Sequence, residues 1–128
     1  DEESRVENIR RIGEISKLFL DSGVIVLTAF ISPFKSDREL VRSLFEKGQF
    51  LEVFIDSSLD VCESRDPKGI YAKARSGEIK NFTGISSPYE APENSEIHVI
   101  NNSVSLESAS DQIVKYLIKS KYISEDNK

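Results

Sequence analysis

Seven consecutive residues, Val24 to Phe30, read VIVLTAF with no alternation of apolar and polar positions. A strand of that kind has both faces buried, the condition found inside a parallel sheet clad by helices on each side. The neighbouring segments agree. Arg5 to Ser22 carries Val6, Ile9, Ile12, Ile15, Leu18 and Phe19, and these spacings predict a helix with one buried stripe. Gly23 stands where such a helix stops. A second helix is predicted over Ser36–Lys47, with Ser36 and Glu39 at capping-box spacing and Leu40, Val41, Leu44 and Phe45 on its apolar face. Phe50–Ile55 reads as a second strand, and Ser57 or Ser58 can cap a short helix to about Arg65. Ile97–Ile100 is a third strand. Ser105 caps a last helix with the stripe Leu106, Ala109, Ile113, Val114, Leu117 and Ile118.

Strands alternating with helices predict an α/β domain with a mostly parallel sheet in three layers, α/β/α. One domain is expected over residues 1–123, with a frayed tail over 124–128. In such sheets ligands bind outside the carboxyl ends of the strands. Three segments leave those ends: Ile31-Ser32-Pro33, Asp56-Ser57-Ser58 and the stretch after Ile100.

The stretch from Arg65 to about Asn94 is far longer than the usual connection of about 4–6 residues. Its first part, RDPKGIYAKARSGEIKNFTG, combines cations with turn residues and Phe82, while Pro88 and Pro92 keep the later part irregular. Loops of this size are either lids over a site or idle surface segments. Cations around an aromatic ring suit an anionic ligand with a flat base, such as a nucleotide.

Composition narrows the partners. The net charge of −5 argues against a nucleic-acid binder, which needs basic faces that neutralise several phosphates. No apolar run approaches the roughly 20 residues of a membrane span. A single cysteine, Cys62, excludes an internal disulfide and points to a reducing compartment, with the cytoplasm expected.

Four blocks, RVENIRRIGE, AFISPFKSDR, EVFIDSSLDVCESRDPKG and YAKARSGEIKNFTGISSPYEAPE, together resemble adenylylsulfate kinase. That family phosphorylates the 3′-hydroxyl of adenosine 5′-phosphosulfate (APS) with ATP and Mg²⁺, giving 3′-phosphoadenosine 5′-phosphosulfate for sulfate assimilation. The resemblance covers Arg5 to Glu93 and implies a P-loop nucleotide-kinase fold. It implies that Arg5, Asn8, Ile31, Ser32, Lys68, Asn81 and Phe82 bind APS, with Phe82 stacked on the adenine. It implies further that Arg65 and Asp66 lie beside the ATP base, and it offers Ser32 a phosphoserine role, although in-line transfer does not require one. Plainer readings stand beside these: Arg5 as a solvated first-turn residue, Ser32 as a turn serine, Phe82 as an anchor pinning the loop. Asp37-Arg38 reads as a helix start with a solvated charge. Lys73 and Arg75 meet either phosphate or water, and Cys62 and His98 read as ordinary helix and strand residues.

The sequence departs from the family in more than one respect. None of Gly13, Gly23, Gly48, Gly69, Gly77 or Gly84 opens a Gly-Lys-Ser/Thr phosphate loop, and the family's Asp-Gly-Asp segment is lacking as well. The chain therefore reads as the C-terminal two-thirds of a kinase domain, inactive alone, with the ATP-phosphate and Mg²⁺ sites in an N-terminal segment it lacks and no metal site of its own. The alternative is a non-catalytic nucleotide-binding module of the kind fused to some ATP sulfurylases. A homodimer, and fusion or association with an ATP sulfurylase, follow from the resemblance alone.

Overall fold

A computed structural model describes residues 2–125; the last three positions of the expected tail, 126–128, lie outside the described residues. The chain groups into two compact units. One comprises the residues up to Phe50 together with Ser87–Pro92, and the other comprises Leu51–Ser86 and the residues from Glu93 on.

In the first unit, α1 spans Glu2–Asp21 and α2 spans Lys35–Arg42. α1 ends as the sequence predicts. Gly23 adopts φ +90°, its N–H donates to Leu20 O at 2.8 Å, and the N–H of Val24 reaches back to Phe19 O at 3.4 Å. This paired closure satisfies two carbonyls of the last turn and needs the left-handed conformation that glycine adopts without strain. α1 meets the other helix of the unit at Gly13, where a Cβ would lie 3.1 Å from Leu44 Cδ1 and from Val41 Cγ1.

Several expectations fail in this unit. Val24–Phe30 is not a strand: the sheet has two strands, neither of them from this unit, and Leu27 is 85% exposed. A strand exists only through its ladder, and no described segment supplies one to these residues. The same lack leaves the expected buried stripe of α1 half open, with Leu18 71% exposed. The second helix is also shorter than predicted. It starts at Lys35 behind Phe34, which has no side-chain cap bond, so Ser36 caps nothing; its hydroxyl turns to Asp37 Oδ1 at 3.4 Å. The cap comes from far along the chain instead, as the Glu90 carboxylate accepts the Lys35 N–H at 2.6 Å.

In the second unit, β1 (Val53–Asp56) pairs in parallel with β2 (Ile97–Ile100), Val53 opposite Ile97 and Asp56 opposite Ile100. Parallel pairing was the expectation, and β2 occupies the predicted residues. Between the strands run α3 (Leu59–Arg65) and α4 (Ile70–Arg75), and α5 (Leu106–Lys119) follows β2. Ser58 and Ser105 are the caps, accepting from the N–H groups of Val61 (3.4 Å) and Ser108 (3.1 Å). α4 is a helix inside what the sequence presents as an irregular loop.

The core of this unit is Ile97, Val99 and Ala109, with Val104, Ile113 and Tyr116 packed on it. Of the predicted α5 stripe, Ala109 is buried and Ile113 joins the core, whereas Leu106 is 79% exposed. Val99 has no exposed surface. Val99→Ala should therefore lower the unfolding free energy by about 2 kcal/mol, between the costs of Ile→Val and Leu→Ala truncations. A urea midpoint that falls at unchanged slope would show it.

Candidate functional site

The N-terminal half of α1 lays Arg5 and Asn8, three residues apart, along one face. With Ser4, Glu7 and Arg11 they line an open hollow of about 500 Å³. The charges around it are not idle. Glu7 accepts from Arg10 Nε and from Arg11 Nε, both at 2.8 Å. The Arg10 bond, then the Arg11 bond, lower the Glu7 pKa from the usual 4.5 to about 2. Because this value lies below the ordinary one, the fork is intact above pH 4.5 and is lost as pH falls toward 2. A carboxyl NMR titration of Glu7 should accordingly show its midpoint near 2.

Ile31 and Ser32 follow the irregular 24–30 segment. Ile31 is exposed and Ser32 half-buried, with Ser32 in the left-handed region at φ +40°. The Ser32 carbonyl accepts from Arg38 Nη1 at 2.6 Å, while Arg38 Nη2 donates to Glu90 O at 2.7 Å. Arg38 is thus a two-pronged strut rather than the solvated charge expected of it. Its neighbour Asp37 is 7% exposed, and Oδ2 has no partner among the described residues.

The other expected site residues all belong to the second unit. Asp66 closes α4, its carboxylate accepting from the N–H groups of Ile70 (2.9 Å), Tyr71 (3.0 Å) and Ala72 (3.3 Å). An anionic side chain at a helix N-terminus satisfies orphan donors and opposes the helix dipole. Asp66 therefore has a structural task besides the one expected beside ATP. Arg75 forks onto Glu63 at 2.6 and 3.2 Å, tying α4 to α3, and Lys73 pairs with Glu78 at 3.6 Å. Neither cation simply faces water. Lys68 and Asn81 are exposed, Asn81 at φ +54°.

Phe82 meets Tyr71 edge-to-face, ring centroids 4.9 Å apart at 70°. Burial pushes the Tyr71 phenol up, and its bond to Cys62 on α3 adds to the shift. The expected anchor contact of Phe82 is thus present, and an edge contact leaves a ring face for stacking. His98 keeps a strand role, bonding Asp56 Oδ2 at 2.8 Å and stacking on Phe54 at 4.9 Å.

Arg65 borders a second hollow of about 390 Å³, with Ile55, Asn101, Val104, Leu106, Ala109, Ser110 and Ile113. It lies at the carboxyl ends of the parallel strands, where α/β sheets bind ligands. The sequence pointed to the stretch after Ile100 without naming its residues. Asn101 and Ser110 were missed; the place of Asn101 just beyond a predicted strand was an available signal, whereas Ser110 lies inside α5 and had none. Asn101 is held firmly, its N–H donating to Asp56 O at 2.7 Å. Among the described residues, no group of three or more His, Cys, Asp or Glu could hold a metal ion.

A family model described as adenylylsulphate kinase matches residues 1–100. The chain belongs to the adenylylsulphate kinase family. It is 58% identical over 117 residues to the adenylyl-sulfate kinase of Aeromonas hydrophila, covering 91% of this chain and 59% of that protein. Against the adenylyl-sulfate kinase of Acaryochloris marina the identity is 60% over 115 residues, covering 90% and 56%. It is similar, at 41% identity and a TM-score of 0.83, to the Mycobacterium tuberculosis APS kinase solved in complex with AMPPNP and APS, covering 91% of this chain and 68% of that one. The chain thus spans somewhat more than half the length of these curated relatives and shares the α/β kinase fold. No described helix of this family member is long and apolar enough to cross a membrane.

Proposed function

We propose that the chain supplies APS- and ATP-binding parts of an adenylylsulfate kinase, which transfers the terminal phosphoryl group of ATP to the 3′-hydroxyl of APS. The observation that carries this reading is the Arg65 hollow at the carboxyl edge of β1 and β2. Its floor of Ile55, Val104, Ala109 and Ile113 suits the face of a purine, over which a guanidinium plane stacks well. The Asn101 amide and the Ser110 hydroxyl border it and can meet the edge of the base.

Arg5 and Asn8 would take the phosphosulfate end of APS, a guanidinium fork matching an oxyanion bidentately. Ile31, Ser32, Lys68, Asn81 and Phe82 would hold the rest of that nucleotide, Phe82 by its open ring face. Ser32 serves as a substrate contact, with no phosphoserine required by in-line transfer. The donor is MgATP, and on this reading the residues named here bind and orient the nucleotides rather than ligate Mg²⁺. The reading extends, on the likeness to the family, to a cytoplasmic homodimer that can associate with an ATP sulfurylase.

Calorimetric titration of the chain with APS, beside a titration with AMP, tests it. APS should bind and AMP, lacking the sulfate, should bind more weakly. Equal heats would remove the phosphosulfate role of α1, and no heat from APS would overturn the reading.

A further inference from the structure

We propose that Arg38 is a positioning residue, clasping the Ser32 turn to the Ser87–Pro92 strap so that the APS contact and the end of the lid move as one piece. This rests on the reading of Ser32 as a substrate contact. Four bonds build the clasp. Arg38 Nη1 donates to Ser32 O at 2.6 Å and Nη2 to Glu90 O at 2.7 Å. Glu90 then returns two bonds, its N–H donating to Pro33 O at 2.8 Å and its Oε2 accepting the first amide of α2, Lys35 N–H, at 2.6 Å. The four together bind the turn, the helix start and the strap.

A serine at φ +40° is uncommon, and such a conformation persists only where its surroundings over-determine it. Here the turn's own carbonyl is fixed by one prong of the guanidinium, and the carbonyl of the next residue, Pro33, is fixed by the strap. The planar fork matters, because two rigidly spaced donors can hold two carbonyls in one orientation. A lysine ammonium keeps the charge but not that geometry. Nor can Glu90 be replaced by its amide without loss, because the helix N-terminus favours the anion.

The test compares wild type, Arg38→Ala and Arg38→Lys by amide hydrogen exchange and by APS calorimetry, at a temperature well below every melting point. Arg38→Ala should speed exchange at the Lys35 and Glu90 amides and weaken APS by about tenfold or more, the loss expected of charge-assisted bonds. Arg38→Lys should fall between the two, and it stands in if the alanine variant does not fold. Unchanged exchange would mean that no clasp exists. Faster exchange with unchanged APS affinity would make the clasp a structural brace only, overturning the positioning role. If wild type binds no APS, the functional reading falls and takes the positioning role with it, while exchange still decides whether the clasp is there.

Discussion

Supplied with APS and MgATP, the purified 128-residue chain is expected to form no measurable phosphorylated product. Phosphoryl transfer in P-loop kinases depends on positioning and charge neutralisation. Backbone amides of a glycine loop cradle the phosphates, its lysine reaches the terminal groups, and its hydroxyl holds Mg²⁺. None of the six glycines in these residues opens such a loop. Groups that act as a unit fail as a unit, and losing all of them costs on the order of 10⁶-fold in turnover. Radiolabelled ATP and chromatographic separation of products would set the limit. Turnover above the uncatalysed background would show that these residues carry a phosphate site of a different design.

Binding should survive where turnover does not, and Phe82 is where it is most exposed to test. Phe82→Ala should weaken APS by about 1–3 kcal/mol, the usual value of a base stacked on an aromatic side chain. That is roughly a 5- to 150-fold rise in Kd by calorimetry. Alanine alone cannot separate stacking from anchoring, because the same ring packs against Tyr71. Phe82→Leu separates them. Leucine keeps apolar bulk against Tyr71 but offers no flat face to adenine. If stacking dominates, leucine binds as poorly as alanine. If it binds like wild type, Phe82 only pins the loop.

The parts of the fold that were legible in the sequence are those decided within a few residues. Ser58 and Ser105 cap their helices through amides three positions on, and Gly23 closes α1 against its own last turn. β2 falls on the expected residues because β-branched packing and a following turn mark it locally. What failed was decided at long range. The cap of α2 comes from Glu90, 55 residues after Lys35, and no local pattern could rank it above Ser36. The burial of Val24–Phe30 is a property of neighbours, not of the seven residues themselves. α4 lay hidden because Pro67 and Gly69 read as loop punctuation, although Asp66 supplies its cap.

The candidate site divides in the same way. The family resemblance, not residue type or spacing, brought out Arg5 with Asn8, which share one helix face, and Arg65 beside what proves to be a hollow. It did not reveal that Arg38 holds two carbonyls, because an arginine early in a helix is ordinarily solvated. Asn101 and Ser110 carry no signal of their own; Asn101 gains meaning from its position past a strand end, and Ser110, within α5, only from the hollow it borders.

The open segment Val24–Phe30 also bears on how the chain behaves in a tube. It is uncharged, free of proline and glycine, and rich in β-branched residues, which is the profile of a steric-zipper segment. With backbone groups outside any ladder and Leu27 turned to solvent, it can template pairing between molecules. The net charge of −5 opposes that encounter at low salt and loses range as salt is added. Dilute, low-salt preparations of the chain should therefore stay clear where concentrated, salted ones turn cloudy.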